Sequence, residues 1–140
     1  MANYANVNLN TGPISGNGEA GSIKAAFFEV ICSAALTTSD TLQFGYLPAN
    51  ARIVHATIEA DDLDSNASPT LTLNVGDAVD ADRLFAASTV GQAGTQSSAV
   101  AVAGLFFKTT AKTLITGAPA ANAATGAAGS IRLCISYIVD

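Results

Sequence analysis

Two groups of carboxylates are the densest concentration of reactive side chains in this chain: Asp61, Asp62 and Asp64 in one stretch, Asp77, Asp80 and Asp82 in another. Clustered carboxylates and turn carbonyls are what a hard cation such as calcium takes as ligands. Neither stretch has the spacing of a DxDxDG loop, so a site would require the two turns to converge at one end of the fold. The same residues serve equally as turn and cap formers, which accept bonds from nearby backbone N–H groups, with Asp82 placed to pair with Arg83. No metal ligand is assigned on this pattern.

Nucleophiles and bases are sparse. His55 is the only histidine, and Glu59 lies on the same face of a strand about 13 Å away by the rise per residue. The chain has no GxSxG, HExxH or Walker motif, and each of those marks a distinct chemistry. We therefore expect a non-enzymatic protein with no catalytic residue and no cofactor. Cys32 and Cys134 sit inside apolar, strand-like runs and read as small buried hydrophobes. One histidine and no CxxC leave no zinc set. A bridge between the two cysteines stays open, because it depends on whether the first and last strands pair.

Six Lys and Arg against eleven Asp and Glu give a net charge of −5. The basic residues are dispersed, which excludes a phosphate-binding surface and hence a nucleic-acid partner. Charged residues make up only 12% of the chain, about half the share usual in a soluble domain. A globule so poor in charge and rich in Ala, Thr, Ser and Gly hides surface by associating, so a subunit of an assembly is expected. The longest apolar run, from Ala25 to Leu36, contains Glu29 and is too short to cross a bilayer. With no basic start followed by an apolar stretch, the reading is of no membrane partner and assembly in a cytoplasm.

The elements that position these residues are strands. From Arg52 to Ala60, Val54, Ala56 and Ile58 are read as inward and His55, Thr57 and Glu59 as outward. Leu71, Leu73 and Val75 alternate with Thr70, Thr72 and Asn74, and Ile131, Leu133, Ile135, Tyr137 and Val139 with their polar neighbours. A period of two marks a half-buried strand. Further strands are expected over Ser22 to Leu36, Thr41 to Tyr46, Ala99 to Lys108 and Lys112 to Thr116. Within the first of these, Phe28, Val30 and Cys32 fall on one face and Phe27, Glu29 and Ile31 on the other. Both faces are apolar enough to be covered, one of them by a neighbouring subunit. Asp80 is expected to cap a short helical turn at 83–87, and Gly117 to Gly129 to form a loop.

Seven or eight short strands with almost no helix give an all-β fold, a jelly-roll-like antiparallel β-sandwich; an immunoglobulin-like sandwich is the alternative, without the Cys-Trp-Cys pattern to support it. Residues 1–21 stand apart as an extended N-terminal arm, with Tyr4, Val7, Leu9 and Ile14 as spaced apolar anchors, and residues 22–140 form a single sandwich domain.

The run LPANARIVHATIEADD, followed by LTLNVGDAVDADRLFAAS, resembles small virion structural proteins of tailed bacteriophages over about residues 47–88. That resemblance implies a capsid decoration or cement protein: a β-sandwich, often a homotrimer, on the capsid surface of the virion, with the major capsid protein and further copies of itself as partners. Tyr4, Val7, Leu9, Ile14, Phe27 and Phe28 are the expected capsid or subunit contacts. Two other classes are kept: a tail, head–tail joining or fibre component, and a calcium-dependent carbohydrate- or receptor-binding module with Tyr46, Phe85 or Tyr137 as its aromatic platform.

Overall fold

Alternating apolar side chains can leave water only if two sheets stack face to face, and that is how this chain folds. The structure, a computed structural model, describes residues 1–5 and 22–140. Nine strands follow in order: β1 (Asn3–Ala5), β2 (Lys24–Cys32), β3 (Thr41–Leu47), β4 (Ala51–Ala60), β5 (Thr72–Gly76), β6 (Phe85–Ser88), β7 (Gln96–Ser97), β8 (Thr113–Ala121) and β9 (Gly129–Val139). A 3-10 turn at Val90–Gln92 is the one helical element among the described residues.

The strands form a five-stranded sheet, β1-β3-β8-β5-β6, and a four-stranded sheet, β2-β9-β4-β7. All pairings are antiparallel except β1 with β3. From β2 onward, consecutive strands fall in opposite sheets, β5 and β6 excepted. This is the winding of the jelly-roll-like expectation. In the immunoglobulin-like alternative the first two strands would share a sheet.

The core lies between the sheets. Phe28, Val30 and Cys32 of β2, Leu42 and Phe44 of β3, Leu73 and Val75 of β5, and Ile131, Leu133, Ile135 and Tyr137 of β9 are all buried in it. Strand β9 is central to its sheet, with β2 on one side and β4 on the other.

Several expectations are corrected. In β4 the register shifts between Ile53 and His55, so Val54 is the extra residue of a bulge. Ile53 is buried in its place, in phase with Ala56 and Ile58. A bulge resets the alternation that plain spacing assumes. No helical turn forms at 83–87: Phe85–Ser88 is strand β6, and Asp77, not Asp80, holds the turn. Its Oδ1 accepts the Val79 and Asp80 N–H groups, and its Oδ2 accepts Arg83 Nε at 2.6 Å; Arg83 therefore pairs with Asp77 and more distantly with Asp80, in place of Asp82.

Residues 99–108 are a strap of turns, not a strand. The loop expected from Gly117 is strand as far as Ala121, because pairing with β5 continues past Gly117 and overrides its poor β-propensity. Pro119 is tolerated because β3 pairs only as far as Gly117, leaving one side of β8 unpaired there. Finally, Cys32 faces the core opposite Gly129, whereas Cys134 lies on the outer face opposite Phe27; both are free thiols.

Candidate interaction surface

The carboxylate clusters are occupied by their own backbone. Asp64 is buried, and its Oδ2 accepts the N–H groups of Thr70, Leu71 and Ala124, its Oδ1 that of Thr125 at 2.9 Å. Burial alone would raise its pKa, but those donors outweigh it and hold the carboxyl well below the usual range. One side chain thus ties the β4–β5 turn to the β8–β9 turn. Asp61 accepts Ser130 N–H and pairs with Arg132, which lowers its pKa. Asp62 bonds Asp64 N–H. Among the described residues no three His, Cys, Asp or Glu side chains converge as metal ligands.

His55 bonds Thr57 Oγ1, which bonds Ser98 Oγ at 2.7 Å, while Glu59 turns to Arg132 at 2.8 Å. The histidine therefore lacks the orienting carboxylate that a catalytic base requires. Tyr137 and Phe85 are core residues, and Tyr46 lies half-buried beneath the Lys112 ammonium, 4.3 Å from its ring centroid. Phe85 and Tyr137 offer no ring face for a sugar, and Lys112 covers one face of Tyr46.

What the molecule does offer is uneven outer surface. The outer face of the β3-β8-β5 sheet is polar, with Thr41, Gln43, Thr72, Asn74, Thr113 and Thr116. On the opposite sheet, β2 turns Ala25, Phe27 and Ile31 outward, with Phe27 60% exposed and Ile23 exposed just before the strand. Beside them on β9 lie Cys134 and Ile138, and next along is Arg132, ringed by Glu29, Glu59 and Asp61.

Of the expected contact residues, Phe27 is on this surface. Phe28 is wholly buried beneath the same strand, as its place in the alternation requires, and has no surface for a neighbour. Tyr4 is half-buried against its own core, in a strand whose start is held by Ala2 N–H to Asp40 Oδ1 and Thr41 N–H to Ala2 O. Val7, Leu9 and Ile14 lie outside the described residues.

A second apolar surface was not foreseen. The strap at 101–109 lies along the first half of β4, with Phe106 N–H to Ile53 O at 2.7 Å and Ile53 N–H to Phe107 O at 2.9 Å. Buried Thr109 pins its end: Oγ1 accepts Ala51 N–H and donates to Pro48 O. Arg83 stacks 3.8 Å over the Phe107 ring. A Cβ at Gly104 would collide with the Arg83 carbonyl, so only glycine allows this approach. The strap holds Phe106 at φ 65° with its ring 60% exposed, beside Val102 at 96% and exposed Leu105. A left-handed conformation costs a bulky residue about 1–2 kcal/mol, and the surrounding bonds hold it there. The adjacent phenylalanines after a glycine, in a run without clean alternation, were the available signal.

A rigid sandwich whose polar groups are internally satisfied, with apolar side chains held outward, defines a structural protein that acts by contact. Comparison places it further. A chain of the cyanophage Pam1 capsid asymmetric unit is 46% identical, with a TM-score of 0.79 over 90% of this chain and 91% of that one. A chain of the capsid of Ralstonia phage GP4 is 34% identical, with a TM-score of 0.80 over 91% and 90%. This protein belongs to the family of phage capsid-associated proteins that those two chains represent. A chain from the acid-stable capsid of Helicobacter pylori bacteriophage KHP30, 13% identical with a TM-score of 0.55 over 86% and 90%, shares the fold alone. No family model and no curated protein matches the sequence.

Proposed function

We propose that this protein is a capsid decoration, or cement, protein: a non-catalytic homotrimer that binds the surface of a phage head and bridges subunits of the major capsid protein. The observation that carries the reading is the match of nine-tenths of the chain to chains of two phage capsids. The apolar side chains held outward from a satisfied scaffold give it a physical basis. Three copies joined in one particle attach at several points, and each contact raises the effective concentration of the next, so weak apolar contacts sum to firm attachment. In this reading residues 1–21 act as an arm that adds contact, and residues 22–140 are the single sandwich domain.

The test is to separate purified virions into heads and tails and quantify the protein in each by mass spectrometry. Recovery with heads, in a fixed ratio to the major capsid protein, supports the proposal. Recovery with tails or fibres overturns it.

A further inference from the structure

Strands β2 to β9 complete a fold by themselves. Their two sets, β2-β9-β4-β7 and β3-β8-β5-β6, are the four-stranded halves of an eight-stranded jelly roll. Strand β1 is a ninth strand, laid outside that winding on the edge of β3. It makes the one parallel pairing among the described residues, Asn3 with Thr41, Tyr4 with Leu42 and Ala5 with Gln43. A parallel ladder is the less stable kind, and here side chains reinforce it. Asp40, 5% exposed, accepts Ala2 N–H at 2.9 Å on one oxygen and Thr37 N–H at 2.8 Å on the other. Thr41 donates its N–H to Ala2 O and its hydroxyl to Asn3 Oδ1 at 3.0 Å, and Tyr4 packs on the core. The edge of β3 is thus a slot that takes residues 2–5 in one register.

Such a slot recognises the segment, whichever copy supplies it. Each of these bonds forms equally well with β1 of a second copy, so exchange of the strand sacrifices no contact. Reach permits it. Residues 6–23 join β1 to β2 and span about 60 Å at full extension, against roughly 35–40 Å for the diameter of a domain this size. Docking on the same chain requires only the step between facing sheets, about 10 Å. We infer that β1 of each copy docks on β3 of the next copy, a strand exchange that runs around the homotrimer. This rests on the proposed self-association and deepens it by naming the element that passes between copies. Each copy then holds one neighbour through its slot and is held by the other through its β1, so the two attachments reinforce each other.

The experiment is disulfide trapping in the full chain. Asn3→Cys and Thr41→Cys are made in a Cys134→Ser background, with circular dichroism confirming the fold; Ala5→Cys with Gln43→Cys, opposite each other in the same register, is the second pair. The two single variants of a pair are co-expressed, one carrying an affinity tag, then oxidised and resolved without reduction. A covalent link joining tagged to untagged chain is expected, mapped by mass spectrometry to positions 3 and 41, or 5 and 43. The double variant is expected to give covalent oligomers that reduction returns to single chains.

A double variant linked within one chain, co-expressed singles that form no such link, or a parent protein that is monomeric would each overturn the inference. Binding to heads is measured separately by co-sedimentation. Chains linked internally that still bind heads leave the decoration reading standing without exchange, and exchanged oligomers that ignore heads do the reverse.

Discussion

Phe27 and Phe28 are neighbours in sequence and point through opposite faces of β2: Phe28 is sealed in the core, while Phe27 stands in solvent opposite Cys134. Phe28 therefore serves folding while Phe27 is left free at the surface, and the two separate by mutation. Phe28→Ala should cost about 3–5 kcal/mol of stability, as aromatic truncation in a core does. Phe27→Ala should change it by less than about 0.5 kcal/mol. Chemical unfolding of the two variants side by side checks this, and equal effects would contradict the assignment of faces.

Acid should unfold the protein through its satisfied carboxylates. Hydrogen bonds or ion pairs hold Asp40, Asp61, Asp64 and Asp77 below their ordinary values against whatever burial opposes them. A group whose pKa is lower folded than unfolded contributes stability that is complete above the unfolded value, about 3.9, and is lost as pH falls through the folded one. Melting temperature should thus be flat near neutrality and fall below about pH 4. Asp64→Ala leaves five backbone donors without their acceptor and should lower melting more than removal of any of the other three. A protein most stable at pH 3 would contradict this.

The thiols should differ in reactivity. Burial pushes the Cys32 thiol up to about 12, with the nearby Asp40 charge adding to it, whereas Cys134 is half-buried on the outer face. A thiol-specific reagent should titrate one cysteine in the native protein and two after denaturation, without prior reduction. No titratable thiol before reduction would mean that the two are bridged.

Deleting residues 2–20 should leave a folded domain that binds heads less tightly. It also removes β1, whose Tyr4 packs on the core, so a modest loss of melting temperature accompanies the loss of attachment. Co-sedimentation of the truncated and full chains over a concentration series measures it. Equal affinity would remove the arm from the account.

Much of the sandwich was legible because its strands alternate cleanly: Leu71, Leu73 and Val75, and Ile131 to Tyr137, were placed on the correct faces. The errors fall where a local rule met tertiary context. The bulge at Val54 is invisible to a period-two count. The Ala- and Gly-rich stretch after Gly117 is strand because β5 pairs along it. The apolar run around Phe106 was read as strand because hydrophobicity does not distinguish a side chain bound for the core from one held outward by backbone bonds. Alternation alone put Phe27 and Phe28 on opposite faces without saying which is outward, and the exposure of Phe106 depends on the hydrogen bonds that Ile53 makes to the strap.

The most direct test of the central claim uses heads assembled without this protein. Purified protein is titrated onto them, and bound copies and the temperature of DNA release are recorded. The account predicts saturable binding to the outside of the head, in a fixed ratio to the major capsid protein, with release shifted to higher temperature. Heads that take up no protein, or that bind it and release DNA at an unchanged temperature, would contradict it.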